Sequence, residues 1–104
     1  MENKSFKEQT AKTIQQAFKG NPEKLYLLGD YYERGIILEK DLNKAYACYI
    51  IAKKKGYNDA DTALTMGTIV THIFPPKLQN SFAQELEKQA EAGDKEAEKI
   101  LALL

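Results

Sequence analysis

The chain has 104 residues, enough for one domain with a core, and its fifteen basic and fifteen acidic side chains leave a formal net charge of zero. That balance argues against a general nucleic-acid or anionic-membrane binder, which carries a basic excess. With 29% charged and 43% hydrophobic residues the composition is globular rather than disordered, and a single cysteine, Cys48, excludes an intramolecular disulfide framework.

Helix punctuation runs from one end of the chain to the other. Ser5, followed three residues later by Glu8, resembles a capping box and opens a first helix to about Lys19. Gly20 supplies the left-handed cap of a helix C-terminus, and Asn21-Pro22 follows as N-cap and first residue of a second helix reaching Arg34. Gly35 ends it. The three aliphatics Ile36-Ile37-Leu38 are expected to tuck under the hairpin, away from water. Asp41 is the next N-cap, for a helix over Leu42 to Lys55 closed by Gly56. Asn58 or Asp59 starts a fourth helix that fades near Ile73, and Pro75-Pro76 opens a fifth over about Lys77 to Ala92. After Gly93, Asp94 caps a short last helix ending in Leu101-Ala102-Leu103-Leu104. Strand signals are absent, so an all-α stack of about six antiparallel helices with short loops is expected.

Gly20, Gly56 and Gly93 stand 36 and 37 residues apart, each closing a helical segment. A fixed period of that size marks a repeat protein of stacked helical hairpins, whose surface holds a partner and has no inherent catalytic site. Within the first period, Leu28, Gly29, Tyr32, Gly35, Asp41, Lys44, Ala45, Tyr49, Ala52 and Gly56 stand at the spacing of a Sel1-like repeat, a relative of the tetratricopeptide repeat. Cys48, where the family usually has an aromatic, is the main departure. The second period keeps Gly56, Ala60 and Leu64 but carries Thr65, Thr68 and Thr71 where the pattern has glycine, tyrosine and glycine; Ala97 and Leu101 match again after Gly93. The resemblance implies a short right-handed α-solenoid forming one domain over 1–104. It divides into an N-terminal half-repeat (1–19), a first repeat (20–55), a degenerate second repeat (56–92) and a C-terminal capping half-repeat (93–104). Small side chains at Ala45, Ala52 and Ala60 let helices approach closely, and Gly29 inside a helix, at a cost of ~1 kcal/mol, points to close packing there. Tyr32 and Tyr49 fill the wedge between helices, and each needs a partner for its hydroxyl.

The motifs of catalysis are missing. His72 has no partner one turn away, Cys48 falls at a position the repeat buries, and acidic pairs such as Glu85/Glu87 and Asp59/Asp61 diverge on a helix. No phosphate-cradling glycine loop or paired-cysteine motif occurs, so neither an enzyme nor a bound cofactor or metal is expected. Lys53-Lys54-Lys55 is read first as a solvated helix C-terminus. No apolar run approaches the ~20 residues of a membrane span and the first residues lack signal-peptide character, so a cytoplasmic protein is expected.

A binding surface is the better-supported expectation. On the second helix the repeat pattern accounts for Tyr26, Leu28 and Tyr32 as core. Leu27 and Tyr31, four residues apart, form a second stripe extended by Asp30 and Arg34, and tyrosine and arginine are enriched at interface hot spots. That stripe either meets a partner or is covered by the N-terminal helix. Met66, Ile69, Val70 and Ile73 on the fourth helix read as core. Ile100, Leu101, Leu103 and Leu104 either fold back to seal the end or form a homodimer contact. Relatives of the resembled family scaffold complexes, and some bacterial ones neutralise a toxin as immunity proteins. A small adaptor or stoichiometric inhibitor that occludes one partner protein is therefore expected. The alternative is a small hydrolase, after the β-lactam-related activity attributed to disulfide-rich relatives whose cysteine pairs this chain lacks. A nucleic-acid binder using Lys53 to Lys55 comes third.

Overall fold

The computed structural model describes residues 2–57, 74 and 76–104. Among these it contains five α-helices and no strand: α1 (Glu2–Phe18), α2 (Pro22–Arg34), α3 (Leu42–Lys54), α4 (Pro76–Glu91) and α5 (Lys95–Leu103). The helix expected from Asn58 or Asp59 toward Ile73 lies outside the described residues. The boundaries agree with the sequence reading to within a residue or two, except at the start. α1 already begins at Glu2, so Ser5 lies inside the helix and is not its N-cap.

The glycine period has one local structure repeated three times. Gly20, Gly56 and Gly93 have φ of 99°, 93° and 101°, a left-handed conformation that side-chain-bearing residues avoid. Each donates its N–H to the carbonyl three residues back, and the next residue donates to the carbonyl five back. The distances are 2.9 and 3.2 Å at Gly20-Asn21, 2.9 and 3.0 Å at Gly56-Tyr57, and 3.0 and 3.0 Å at Gly93-Asp94. These two hydrogen bonds satisfy carbonyls that a helix end leaves without partners. At two of the corners the residue after glycine also opens the next helix: the Asn21 side chain accepts from the Lys24 N–H, and that of Asp94 from the Ala97 N–H.

Among the described helices α2 and α3 form the tightest pair. The buried side of α2 is Leu25, Leu28, Gly29 and Tyr32; α3 contributes Ala45, Ala47, Cys48, Tyr49, Ile51 and Ala52. At Gly29 the two helices nearly touch. A Cβ there would lie 2.7 Å from the Tyr49 ring and 3.2 Å from the Ala45 carbonyl oxygen. The expected partners of the wedge tyrosines are present: the Tyr49 hydroxyl donates to Glu33 at 2.7 Å and the Tyr32 hydroxyl to Glu96 at 2.9 Å. A chain of rings then runs across the molecule from Tyr57 through Tyr26, Tyr49, Phe74 and Tyr46 to Phe82, with centroids 5.1 to 5.7 Å apart. Tilted and edge-on pairs of this kind contribute ~0.5–1.5 kcal/mol each beyond their buried area.

α4 packs on α3, with Phe82 edge-on to Tyr46 and Leu86 buried in the core, while α5 packs on α4 and also returns to α3 and α1. Ala97 and Ile100 of α5 are fully buried, and Leu101, Leu103 and Leu104 pack against the core. The leucine-rich end thus folds back on its own chain, and Lys54 Nζ donates to the Leu104 carbonyl at 3.2 Å.

The loop after α2 departs from expectation. Leu38 does pack on the core and Ile36 is half-buried, but Ile37 is 51% exposed and takes φ 63°. The cause is local. Gly35 turns the chain in a left-handed cap, and Leu38 N–H closes a three-residue turn on the Ile36 carbonyl at 2.6 Å, which carries Ile37 outward. A β-branched residue in this conformation costs ~1–2 kcal/mol.

Two substitutions test this packing. Gly29→Ala gains about 1 kcal/mol of helix propensity but forces Tyr49 or the α3 backbone aside, so a net loss of about 1–3 kcal/mol in urea unfolding is expected. A more stable variant would show that the close approach is not rigid. Ile37→Asn, by contrast, should raise stability by about 1 kcal/mol with an unchanged helical spectrum. A loss there would mean that the isoleucine side chain packs on something that holds it.

Candidate functional site

The expected partner-binding residues all lie on α2, on the sides the core does not use. Leu27 and Tyr31 are half-buried, and neither is among the partly buried side chains packed against the core. Asp30 and Arg34 form an ion pair one turn apart, Arg34 Nε to Asp30 Oδ1 at 2.9 Å, with the arginine side chain 67% exposed. Helical spacing therefore brings the four together as two adjacent stripes, one apolar and one charged. α1 packs along α2, yet Leu27 and Tyr31 keep part of their surface in solvent.

A second cluster was not foreseen. Lys44, in the first turn of α3, has a side chain only 9% exposed, and its ammonium lies 2.6 Å from Asp94 Oδ2, 3.6 Å from Glu96 Oε1 and 3.9 Å from Asp41 Oδ2. It also stands 5.5 Å over the centre of the Tyr32 ring. Asp41 and Asp94 each cap a helix with one carboxylate oxygen, through the Lys44 and Ala97 N–H groups, and turn the other toward the ammonium. Gln89 of α4 adds a hydrogen bond from Nε2 to Asp41 Oδ2 at 2.8 Å. With Glu39 and Lys40 these side chains wall a polar cleft of about 390 Å³. Sequence reading had found both aspartates as caps and Lys44 as a repeat position. That the caps converge on one lysine has no local signal, because Lys44 and Asp94 are joined only by the packing of α5 on α3.

The electrostatics make this cluster a structural junction. Burial works against the Lys44 ammonium, but the hydrogen bond and charge of Asp94, with Asp41 and Glu96, outweigh it and raise its pKa above the ordinary lysine value. Desolvation pushes the Asp94 carboxyl up, and the Lys44 ammonium together with the Ala97 N–H more than reverses this, holding it below the usual carboxylate range. A lysine held protonated and a carboxylate held ionised are neither base nor acid at neutral pH.

The remaining candidates lie apart. Cys48 is fully buried, and desolvation foremost, with Asp41 adding to it, pushes its thiol far above the ordinary value. It packs in the core, where burial keeps a thiol unreactive. His72, Asp59 and Asp61 lie outside the described residues, as do Met66, Ile69, Val70 and Ile73. Lys53, Lys54 and Lys55 are exposed at the end of α3, and Glu85 pairs with Lys88 at 3.6 Å on the face of α4. Among the described residues no group of three His, Cys, Asp or Glu side chains is placed to hold a metal ion, and no helix is long and apolar enough to cross a membrane.

The junction gives a pH-dependent prediction. Because the folded pKa of Asp94 is depressed, its stabilisation is present above the ordinary carboxylate pKa and is lost as pH falls through the folded value. Lys44→Met should cost about 2 kcal/mol near neutral pH, below the ~3–5 kcal/mol of a fully buried pair because Asp94 and Glu96 keep some solvent contact. The difference between wild type and variant should collapse as the pH of the unfolding titration drops below the carboxylate range; a difference independent of pH would remove the ion pair as its source. No family model matches the sequence, and no curated protein or solved structure matches it either.

Proposed function

We propose that this chain is a Sel1-like helical-repeat module that binds one partner protein, as a small adaptor or as a stoichiometric inhibitor of the immunity-protein kind. The observation that carries this reading is the α2 surface: Leu27 and Tyr31 lie part-exposed beside the ion pair of half-buried Asp30 with exposed Arg34, on a helix whose other side is locked into α3. The residues that make up the repeat pattern support it from the other direction. Leu28, Gly29, Tyr32, Ala45, Tyr49 and Ala52 are all buried in packing. What distinguishes one such module from another then lies in the positions between them. The mechanism is occlusion, in which Tyr31 and Leu27 supply desolvated area and Arg34 and Asp30 supply register and charge matching.

Affinity capture of the tagged protein from its native cell extract, followed by native mass spectrometry, is expected to return a one-to-one complex. Recovery of the protein alone or as a self-associated form would overturn the reading. With the partner in hand, Tyr31→Ala should weaken binding by about 2 kcal/mol or more while leaving the helical spectrum and unfolding midpoint in place. Unchanged affinity in that folded variant would remove the α2 surface from the interface.

A further inference from the structure

α1 and α5 meet only loosely, and between them runs an open groove of about 500 Å³ on a side of the molecule that the α2 surface does not include. Its apolar lining is Ile14 and Phe18 of α1, both only partly buried although both pack on the core. Its polar lining includes Lys19, just past the end of α1, and Lys99 of α5, both exposed. Glu96 is the acidic residue of the lining, and its Oε1 is already taken by the Tyr32 hydroxyl at 2.9 Å and lies 3.6 Å from the Lys44 ammonium. Lys19 and Lys99 outnumber it, so the lining carries a net positive charge. Lys99 Nζ lies 5.2 Å from the centre of the Phe18 ring, so a cation already stands at the edge of the apolar strip.

We propose that the α1–α5 groove is a second docking surface, and that its occupant is an acidic peptide segment carrying one or two large apolar side chains. Charge complementarity selects the acidic partner, since carboxylates beside Lys19 and Lys99 gain what a basic segment would lose. The apolar strip selects an anchor such as leucine or phenylalanine, which would cover Ile14 and Phe18. An open trough between two helices suits a segment laid along it, the arrangement by which amphipathic helices enter apolar grooves. This site stands independently of the partner surface on α2.

The test is a selection of short random-sequence peptides on the wild-type protein alone, with the Lys19→Glu/Lys99→Glu double variant kept for the affinity comparison. The sequences retained by wild type should be enriched in Asp and Glu flanking one or two large apolar residues. Their affinity, followed by fluorescence anisotropy of a labelled peptide, should fall by roughly tenfold in the charge-reversed variant and should weaken with added salt. Circular dichroism establishes that the double variant is folded, and Lys19→Glu alone, which leaves Lys99 on Phe18, serves if it is not. Tyr31→Ala should leave peptide binding unchanged. Peptides without acidic enrichment, peptides that bind wild type and the charge-reversed protein equally, or binding abolished by Tyr31→Ala would each overturn the proposal. So would sedimentation showing that the groove is closed by a second copy of the chain.

Discussion

An ammonium group taken out of water has to be surrounded by negative charge, and the fold is arranged around one that is. Lys44 enters the interior at the start of α3, where its neighbours Asp41 and Tyr32 come from the first hairpin, α2 and α3 with their loop, and Asp94 and Glu96 from the cap and first turn of α5. Neither set alone would be enough. The Coulombic gain on bringing them together offsets desolvation because both aspartates are already oriented, each fixed through one oxygen to a helix N-terminus. Withdrawing α5 would strand the lysine against Asp41 and leave the Tyr32 hydroxyl without its acceptor. Placement of the last helix is thus a condition of the first hairpin's electrostatics and not merely an added layer.

The rigidity of that hairpin in turn gives the α2 surface its character. With Gly29 pressed against the Tyr49 ring and the Tyr49 hydroxyl tied to Glu33, α2 has little freedom to rotate about its axis. Leu27 and Tyr31 are consequently presented in a fixed register rather than on a mobile element. A partner meeting them would lose little to ordering, which is how a small surface can still bind tightly.

Much of this architecture could be read in the amino acids because its causes are local. The corners at Gly20, Gly56 and Gly93 need a residue that tolerates positive φ, and the caps at Asn21, Asp41 and Asp94 need a short polar side chain; both requirements are met within a few residues of chain. The hydroxyl partners of Tyr32 and Tyr49 were anticipated as a need, yet Glu96 and Glu33 could not be named, since one lies 64 residues away and nothing marks it. Ile37 shows the opposite failure. Its hydrophobicity argued for burial, but the backbone turn at Gly35 outweighed it and turned the side chain to solvent. The α2 stripe was legible from helical spacing alone, whereas the groove between α1 and α5 was not, because it exists only where two helices distant in the chain fail to close.

The return of α5 has a consequence for how the molecule comes apart. In an open array of repeats each unit touches only its neighbours, so the ends loosen first and the rest follows piecemeal. Here the last helix is fastened at both of its own ends, by Asp94 and Glu96 to Lys44 and Tyr32 at one and by the Leu104 carbonyl to Lys54 at the other. α5 cannot come away from the rest without also disturbing the interior charge. The described helices should accordingly open as one cooperative unit, with the C-terminal helix as protected as the hairpin it closes.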